Sequence, residues 1–343
     1  MFTEITINNF RILEQFTCRD FKTINVVGGD NNVGKTTLLE ALFLLSGYSD
    51  ISFIQRLFNW RGLIMEEKRD LKILFSRLDI NKNIKISGKY NDNEIKLDYE
   101  PLVGKDGDIL GIEYNFKFNG KGSGSSIIKY NPEQQLIDPI TGLKLPPQSP
   151  FLLKDDIKKP DLQKIEHISS KIFNADSLPN RVSMSEDFDE LIGNGGRDEL
   201  IQILNEIFNE NITEIFNKRS LIKILIKEYK ERGALPFNFL GGGMNKLLPI
   251  LCGIASNKKV LLIDEIENGL HYSKAKQILT FLFNKAIEKK IQLFITSHSA
   301  DVIKAIVEIL NDGTNDEIKE NFRFHSLFNN KDGQKEAISY TAE

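Results

Sequence analysis

The run Gly29-Asp30-Asn31-Asn32-Val33-Gly34-Lys35-Thr36, with Thr37 behind it, spaces two glycines around four residues and sets a lysine and a hydroxyl after the second. Glycines let backbone N–H groups converge on an anion with no Cβ in the way, and a helix that starts here adds the positive end of its dipole. In such a phosphate loop Lys35 reaches the outer phosphates and the Thr36 hydroxyl ligates Mg²⁺. A second group of chemically able residues ends the apolar run Val260-Leu261-Leu262-Ile263 with adjacent carboxylates, Asp264 and Glu265. Alternation along a strand makes the two diverge, so one can serve the metal while the other polarises a water. The plain alternative is a strand ending in solvated acids, and it weakens beside a phosphate loop.

Two further segments are less specific. Gly241-Gly242-Gly243, between Leu240 and Met244, precedes a helical apolar run and forms another anion cradle or only a flexible loop. Thr296-Ser297-His298-Ser299 follows the apolar segment Leu293 to Ile295. A histidine at the C-terminal end of a parallel strand faces the usual ligand crevice, although a lone histidine is more often satisfied in the core or at the surface.

The elements that must position these residues are partly legible. Phe2, Ile5 and Ile7 alternate with polar residues as a half-buried strand, and a second strand spans Thr23 to Val27. Lys35 to Ser46 is apolar around most of its circumference and reads as a buried helix. Between Ile84 and Asn131, alternating pairs such as Ile84/Ile86 and Tyr114/Phe116 predict antiparallel strands, with loops at Gly120 to Ser126 and Pro146 to Pro150. Helical spacing is expected over Leu162 to Phe173 and Asp198 to Phe208. Residues 221 to 228 fit a helix or a strand, and their β-branched density favours the strand. Val260 to Ile263 and Leu293 to Ile295 suit central parallel strands covered on both faces. The expected fold class is α/β, a mostly parallel core sheet with an antiparallel β lobe and a helical insertion. Residues 1–80 and 235–343 form the two parts of the core, and 81–234 the β-rich and then helical insertion.

Composition narrows the partners. Of 343 residues, 41% are hydrophobic and 27% charged, an ordinary globular balance. Lys+Arg 45 against Asp+Glu 48 gives a net charge of -3, so no overall field draws the chain to nucleic acid or an anionic membrane. Cys18 and Cys252 have no metal-like spacing, no export signal opens the chain, and no stretch is long enough to span a bilayer, so a soluble cytoplasmic protein is expected. The acidic run Ser185 to Glu190 reads as a solvated helix start rather than a metal site. Lys218, Arg219, Lys223, Lys227, Lys230 and Arg232 form the densest basic group, a candidate contact for a nucleic-acid phosphate backbone, although the interleaved Ile222, Ile224 and Ile226 favour a core strand with solvated lysines.

The order of phosphate loop, glycine signature, acidic strand and Thr-Ser-His-Ser resembles the ATP-binding-cassette ATPases. Asn8-Asn9-Phe10-Arg11 and Gly29-Asp30-Asn31 are similar to the RecF and SMC branch, and Leu262 to His271, with Glu267-Asn268-Gly269-Leu270-His271, is similar to the OLD-like ATPases of bacterial anti-phage systems. The likeness covers about residues 1 to 60 and 235 to 305. It implies that Gly241, Gly242 and Gly243 complete a partner subunit's site, with two nucleotides sandwiched in an ATP-dependent homodimer or higher oligomer. It also implies that Asn268 and Gly269 link the two sites, that His298 is a switch histidine, and that Arg11 is a nucleotide or interface contact. Glu265 and His298 are then the catalytic residues. ATP is held by Gly29, Asn31, Asn32, Val33, Gly34, Lys35, Thr36 and Thr37, and Mg²⁺ by Thr36 and Asp264. Two departures stand out. Gly241 replaces the usual signature serine, removing a hydroxyl donor, and the glutamine that senses Mg²⁺ has only Gln55 as a candidate.

No heptad run of zipper length appears, so no tethering arm is expected, and no further carboxylate set supplies a fused Toprim nuclease. The expectation is therefore an ATPase of an anti-phage system that senses infection and controls a separate nuclease or toxin. A RecF-like clamp on DNA is the alternative, and a transporter cassette comes third.

Overall fold

In the computed structural model, Phe2–Phe10 (β1) folds back on Leu13–Arg19 (β2), setting Ile5 opposite Cys18 and Ile7 opposite Phe16. The structure describes residues 1–63, 68–119, 122–130, 151–154, 168–174, 181–237, 242–255, 258–268, 272–313 and 315–342. These divide into two units, one made of Met1–Phe21, Gly29–Ile168 and His325–Ser339, the other of Lys22–Gly28, Ser169–Phe324 and Tyr340–Glu343.

The first unit is an antiparallel sheet with helices against it. Ile84–Tyr90 (β4) pairs with the free edge of β1, and Asn93–Val103 (β5), Ile109–Phe118 (β6), Gly122–Tyr130 (β7) and Phe151–Lys154 (β8) follow in turn. The expected β lobe therefore continues the sheet of the N-terminal hairpin. Its inward positions are those the alternation marked: Ile84, Ile86, Ile95, Leu97, Tyr99, Tyr114, Phe116 and Phe118 are all buried. The expected loop over Gly120 to Ser126 is replaced by β7 from Gly122 onward. Gly124 serves the sheet because a Cβ there would stand 2.7 Å from Phe116 Cε1. Pro146 to Pro150 lie outside the described residues.

Lys35–Ser46 (α1) buries every residue except Thr36, as its all-round apolar sequence demands. It lies so close to the sheet that a Cβ on Gly88 would meet Leu45 Cδ2 at 2.6 Å. Ser52–Trp60 (α2) follows, its Phe53 ring 4.7 Å from that of Phe43. The Tyr114 hydroxyl donates to the Tyr48 carbonyl, tying the end of α1 to β6.

The second unit holds the parallel strands. Ile24–Gly28 (β3), Gln292–Thr296 (β14), Val260–Asp264 (β13) and Ser170–Asn174 (β9) lie side by side in that order, with Val26 level with Ile295 and Ile295 with Ile263. Val260 to Ile263 and Leu293 to Ile295 are buried, as strands covered on both faces must be. The helices Arg181–Gly193 (α3), Arg197–Phe208 (α4), Gly242–Ala255 (α5), Tyr272–Glu288 (α6), Ala300–Leu310 (α7) and Asp316–Glu320 (α8) share one apolar core with these strands. A small antiparallel sheet, Ile212–Asn217 (β10), Ile222–Ile226 (β11) and Leu235–Pro236 (β12), turns Ile222, Ile224 and Ile226 into that core, so the strand expectation for this segment holds. The chain ends in two strands, Phe322–Asn329 (β15) and Lys335–Tyr340 (β16).

Two expectations fail in part here for tertiary reasons. Of the helical spacing over Leu162 to Phe173, residues 162–167 lie outside the described residues, and the rest gives way to β9, because Ser170–Asn174 finds a parallel partner along the whole of β13. The acidic run Ser185 to Glu190 is solvated at Glu186, Asp189 and Glu190, but Asp187 departs from it: it lies inside α3, buried, and ion-paired with Lys171 of β9, with Lys258 3.8 Å away. Burial and the neighbouring Lys258 charge lower the Lys171 ammonium to about 8. Among the described residues, no helix is long and apolar enough to cross a membrane, and no group of three or more His, Cys, Asp or Glu could hold a metal ion by itself.

Candidate nucleotide site

The phosphate loop is shaped by its two outer glycines. Gly29 sits at φ 137° and Gly34 at φ 105°, conformations open to glycine, and both are also crowded. A Cβ on Gly29 would fall 2.2 Å from the Leu327 carbonyl oxygen, and one on Gly34 would fall 2.6 Å from Leu13 Cδ2. Asn32 adds a left-handed residue at φ 62°, which asparagine tolerates better than most. Gly34 is the N-cap of α1, with no side chain capping the helix and no acid in its first turn, so the positive end of the helix dipole meets no acidic side chain of its own first turn. Asp30, Asn31 and Asn32 are exposed and Val33 is buried, pinning the loop. Lys35 Nζ donates to the carbonyls of Gly29 at 2.7 Å and Asp30 at 2.8 Å, closing the loop on itself. Thr36 is half-buried and Thr37 buried.

Arg11 stands in the turn between β1 and β2 at φ 50°. It is neither solvated nor alone: its Nε lies 2.9 Å from Glu40 Oε2, and Arg61 Nε donates to Glu40 Oε1 at 2.5 Å. Burial is the chief cause that lowers the Arg11 guanidinium, Glu40 opposes the shift, and Arg61 adds to it. The sequence offered no sign of this cluster, since its members are distant and nothing in α1 marks Glu40 as buried.

The acidic residues sit where parallel strands end. Asp264 closes β13 and is buried, and its Oδ1 accepts from Thr296 Oγ1 at 2.7 Å. The same hydroxyl accepts from the Glu265 backbone N–H at 2.8 Å. One hydroxyl at the end of β14 thus holds both carboxylate residues of the neighbouring strand. Glu265 takes φ 48°, an uncommon conformation for an L-residue, and such strain collects at functional sites. Its Oε2 accepts from Asn268 Nδ2 at 2.7 Å, and the Asn268 N–H closes the turn on the Glu265 carbonyl. The side chain is therefore aimed before any ligand arrives. Thr296 was singled out with its neighbours, but its role as the shared anchor was missed.

His298 is held by the same loop. Glu267 Oε1 accepts from its backbone N–H at 2.8 Å and stands 2.9 Å from Nδ1. The ring is 43% exposed and keeps Nε2 for another partner. Ser299 accepts from the Val302 N–H and caps α7. Gly242 and Gly243 form the first turn of α5, again with no acid in that turn, while Gly241 and Gly269 lie outside the described residues. Gln55 is half-buried in α2. Within the first unit Thr36 carries a hydroxyl, and within the second Asp264 carries a carboxylate, each by itself a hard oxygen donor of the kind Mg²⁺ accepts.

A glycine-shaped phosphate loop after one parallel strand and paired carboxylates at the end of another define a phosphate-loop nucleoside triphosphatase. Comparisons agree. Residues 24–304 match the family described as "AAA domain, putative AbiEii toxin, Type IV TA system". The chain belongs to that family, and as an AAA domain it is an ATPase. A protein of Helicobacter pylori named ATP/GTP phosphatase is 26% identical over 343 residues, covering 91% of this chain and 89% of that protein. Among solved structures, the SMC head domain from Thermotoga maritima gives a TM-score of 0.43 at 11% identity, covering 99% of this chain and 98% of that one. The recombination mediator protein RecF of the RecFOR pathway gives 0.48 at 16% identity, covering 98% of each.

Proposed function

We propose that the chain is an ABC-type ATPase head of the OLD-like kind, whose ATP-dependent pairing controls a separate nuclease or toxin in an anti-phage system. The observation that carries the chemistry is the Thr296 hydroxyl, which fixes Asp264 and Glu265 together at one strand end. The defence role is supported by the toxin–antitoxin description of the family.

In this reading the loop Gly29, Asn31, Asn32, Val33 and Gly34 presents backbone N–H groups to the phosphates. Lys35 exchanges its two loop carbonyls for phosphate oxygens, a stronger pairing because it joins opposite charges. Thr37 continues the same helix turn. Thr36 and Asp264 would hold Mg²⁺, which supplies charge neutralisation at the phosphates. Glu265, held by Asn268, accepts a proton from the attacking water. His298 offers Nε2 to the transferring phosphoryl group while Glu267 holds Nδ1. Gly242 and Gly243 present the first N–H groups of α5 to the nucleotide of a second subunit, with Gly241 beside them. The cytoplasm is the proposed location.

Steady-state phosphate release tests this directly. Glu265→Gln keeps ATP and slows turnover by about 10² or more, because the lost carboxylate is the base and not a phosphate contact. Unchanged release would remove Glu265 from that role and make Glu267 the next candidate. ATP-dependent, salt-sensitive DNA binding would replace the effector reading with a RecF-like clamp.

A further inference from the structure

Two glutamates lie in the turn that follows β13, and the turn sends them to different destinations. Glu265, at φ 48°, turns Oε2 back to Asn268 Nδ2 at 2.7 Å. Ile266 is buried, and its N–H donates to the Thr296 carbonyl at 3.2 Å, which fastens the turn to the end of β14. Glu267 then reaches across to the loop after β14. Its Oε1 accepts from the His298 N–H at 2.8 Å and stands 2.9 Å from the ring at Nδ1. Its Oε2 is buried, and among the described residues no donor meets it. A general base needs an oxygen within hydrogen-bond reach of a water. Glu267, whose side chain is 12% exposed, has one oxygen occupied by the histidine and one closed off from solvent.

His298 has little else to hold it. Its ring is exposed, so packing does not set its orientation. On one side the Ser297 N–H donates to the Val27 carbonyl at 3.1 Å, and on the other Ser299 Oγ accepts from the Val302 N–H at 3.4 Å, but neither bond involves the residue between them. Among the described residues, Glu267 is the acceptor that meets the His298 N–H and also faces its ring.

We infer that Glu267 is a positioning residue and not a second base: it acts only through His298, fixing the main chain and ring of the histidine so that Nε2 keeps its aim. The inference rests on the reading of His298 as a group that acts on the transferring phosphoryl. The two glutamates of the turn then divide the work, Glu265 serving the water and Glu267 the histidine. Residues that act as one unit do not add, so the loss of either member of the Glu267–His298 pair removes the same contribution.

The test is steady-state phosphate release by wild type, Glu267→Ala, His298→Ala and the double variant, with thermal unfolding to establish that each is folded. Each single change is expected to lower kcat by roughly tenfold or more while KM stays within about threefold of wild type, because a contribution to the transition state and not to ATP binding is lost. The double variant is expected to stay within about threefold of the slower single one. A base, or a residue that only supports the fold, would cost its full factor again in the His298→Ala background. Losses that multiply, or wild-type kcat in folded Glu267→Ala beside a slow His298→Ala, overturn the inference and leave the reading of the histidine intact. Wild-type kcat in His298→Ala, or no phosphate release by wild type, overturns both. Should Glu267→Ala not fold, Glu267→Gln serves: its amide oxygen still accepts from the His298 N–H, and kcat is expected within about threefold of wild type, a larger loss counting against the inference.

Discussion

The phosphate loop and the acidic strand end are built by opposite means. The loop is backbone: its glycines are demanded by positive φ and by crowding against Leu327 and Leu13, and its donors are main-chain N–H groups. The acidic end is side chain: one threonine hydroxyl, one asparagine amide and one glutamate hold Asp264, Glu265 and His298 in place. A backbone cradle recognises any phosphate and gains little selectivity between ground and transition states. Positioned side chains act on the reaction itself. Changes in the loop should therefore appear as lost binding, and changes at the acidic end as lost turnover.

The largest effect on binding is expected at Lys35. Lys35→Ala removes charge-assisted hydrogen bonds worth about 1.5–3 kcal/mol, so calorimetric titration should show ATP affinity lowered by roughly 10- to 100-fold with the fold retained. Retained affinity would break the contrast at its binding end. A smaller effect sharpens the other end. Thr296→Val takes from Asp264 a donor and from the Glu265 N–H its acceptor, at a cost of about 1–3 kcal/mol of stability in thermal unfolding. Turnover should fall roughly tenfold while ATP affinity stays within a factor of two or so, since positioning and not phosphate contact is lost. Three residues on, the smallest effect comes from a hydroxyl with a local task. Ser299→Ala removes the cap of α7, costing about 1 kcal/mol, with phosphate release unchanged.

The same contrast explains what the sequence disclosed. The phosphate loop was legible because strand, glycine turn and helix are contiguous, and Gly29, Gly34 and Lys35 act within one short stretch. Asp264 and Glu265 were legible as strand-ending acids, but their anchor comes from a strand 32 residues later, and pairing between strands has no local signature. Glu40 looked like any helix glutamate, and only the meeting of two turns buries it between Arg11 and Arg61. Asp187 was misread for the same reason, its partners Lys171 and Lys258 being supplied by other elements. β9 was hidden because Ile168, Ile172 and Phe173 repeat at helical spacing, and β13 offered a parallel edge that outweighed it.

Light scattering on Glu265→Gln measures most directly whether ATP joins two copies through the α5 glycine turn. Addition of ATP should double the mass, because the variant keeps the nucleotide it cannot hydrolyse. Adding Gly242→Asp places a carboxylate at the first turn of α5, where like-charge repulsion opposes a partner's phosphates. The double variant should bind ATP through its own phosphate loop and remain at the lower mass. An unchanged ATP-dependent increase in Gly242→Asp/Glu265→Gln, or no increase in Glu265→Gln alone, would contradict the account.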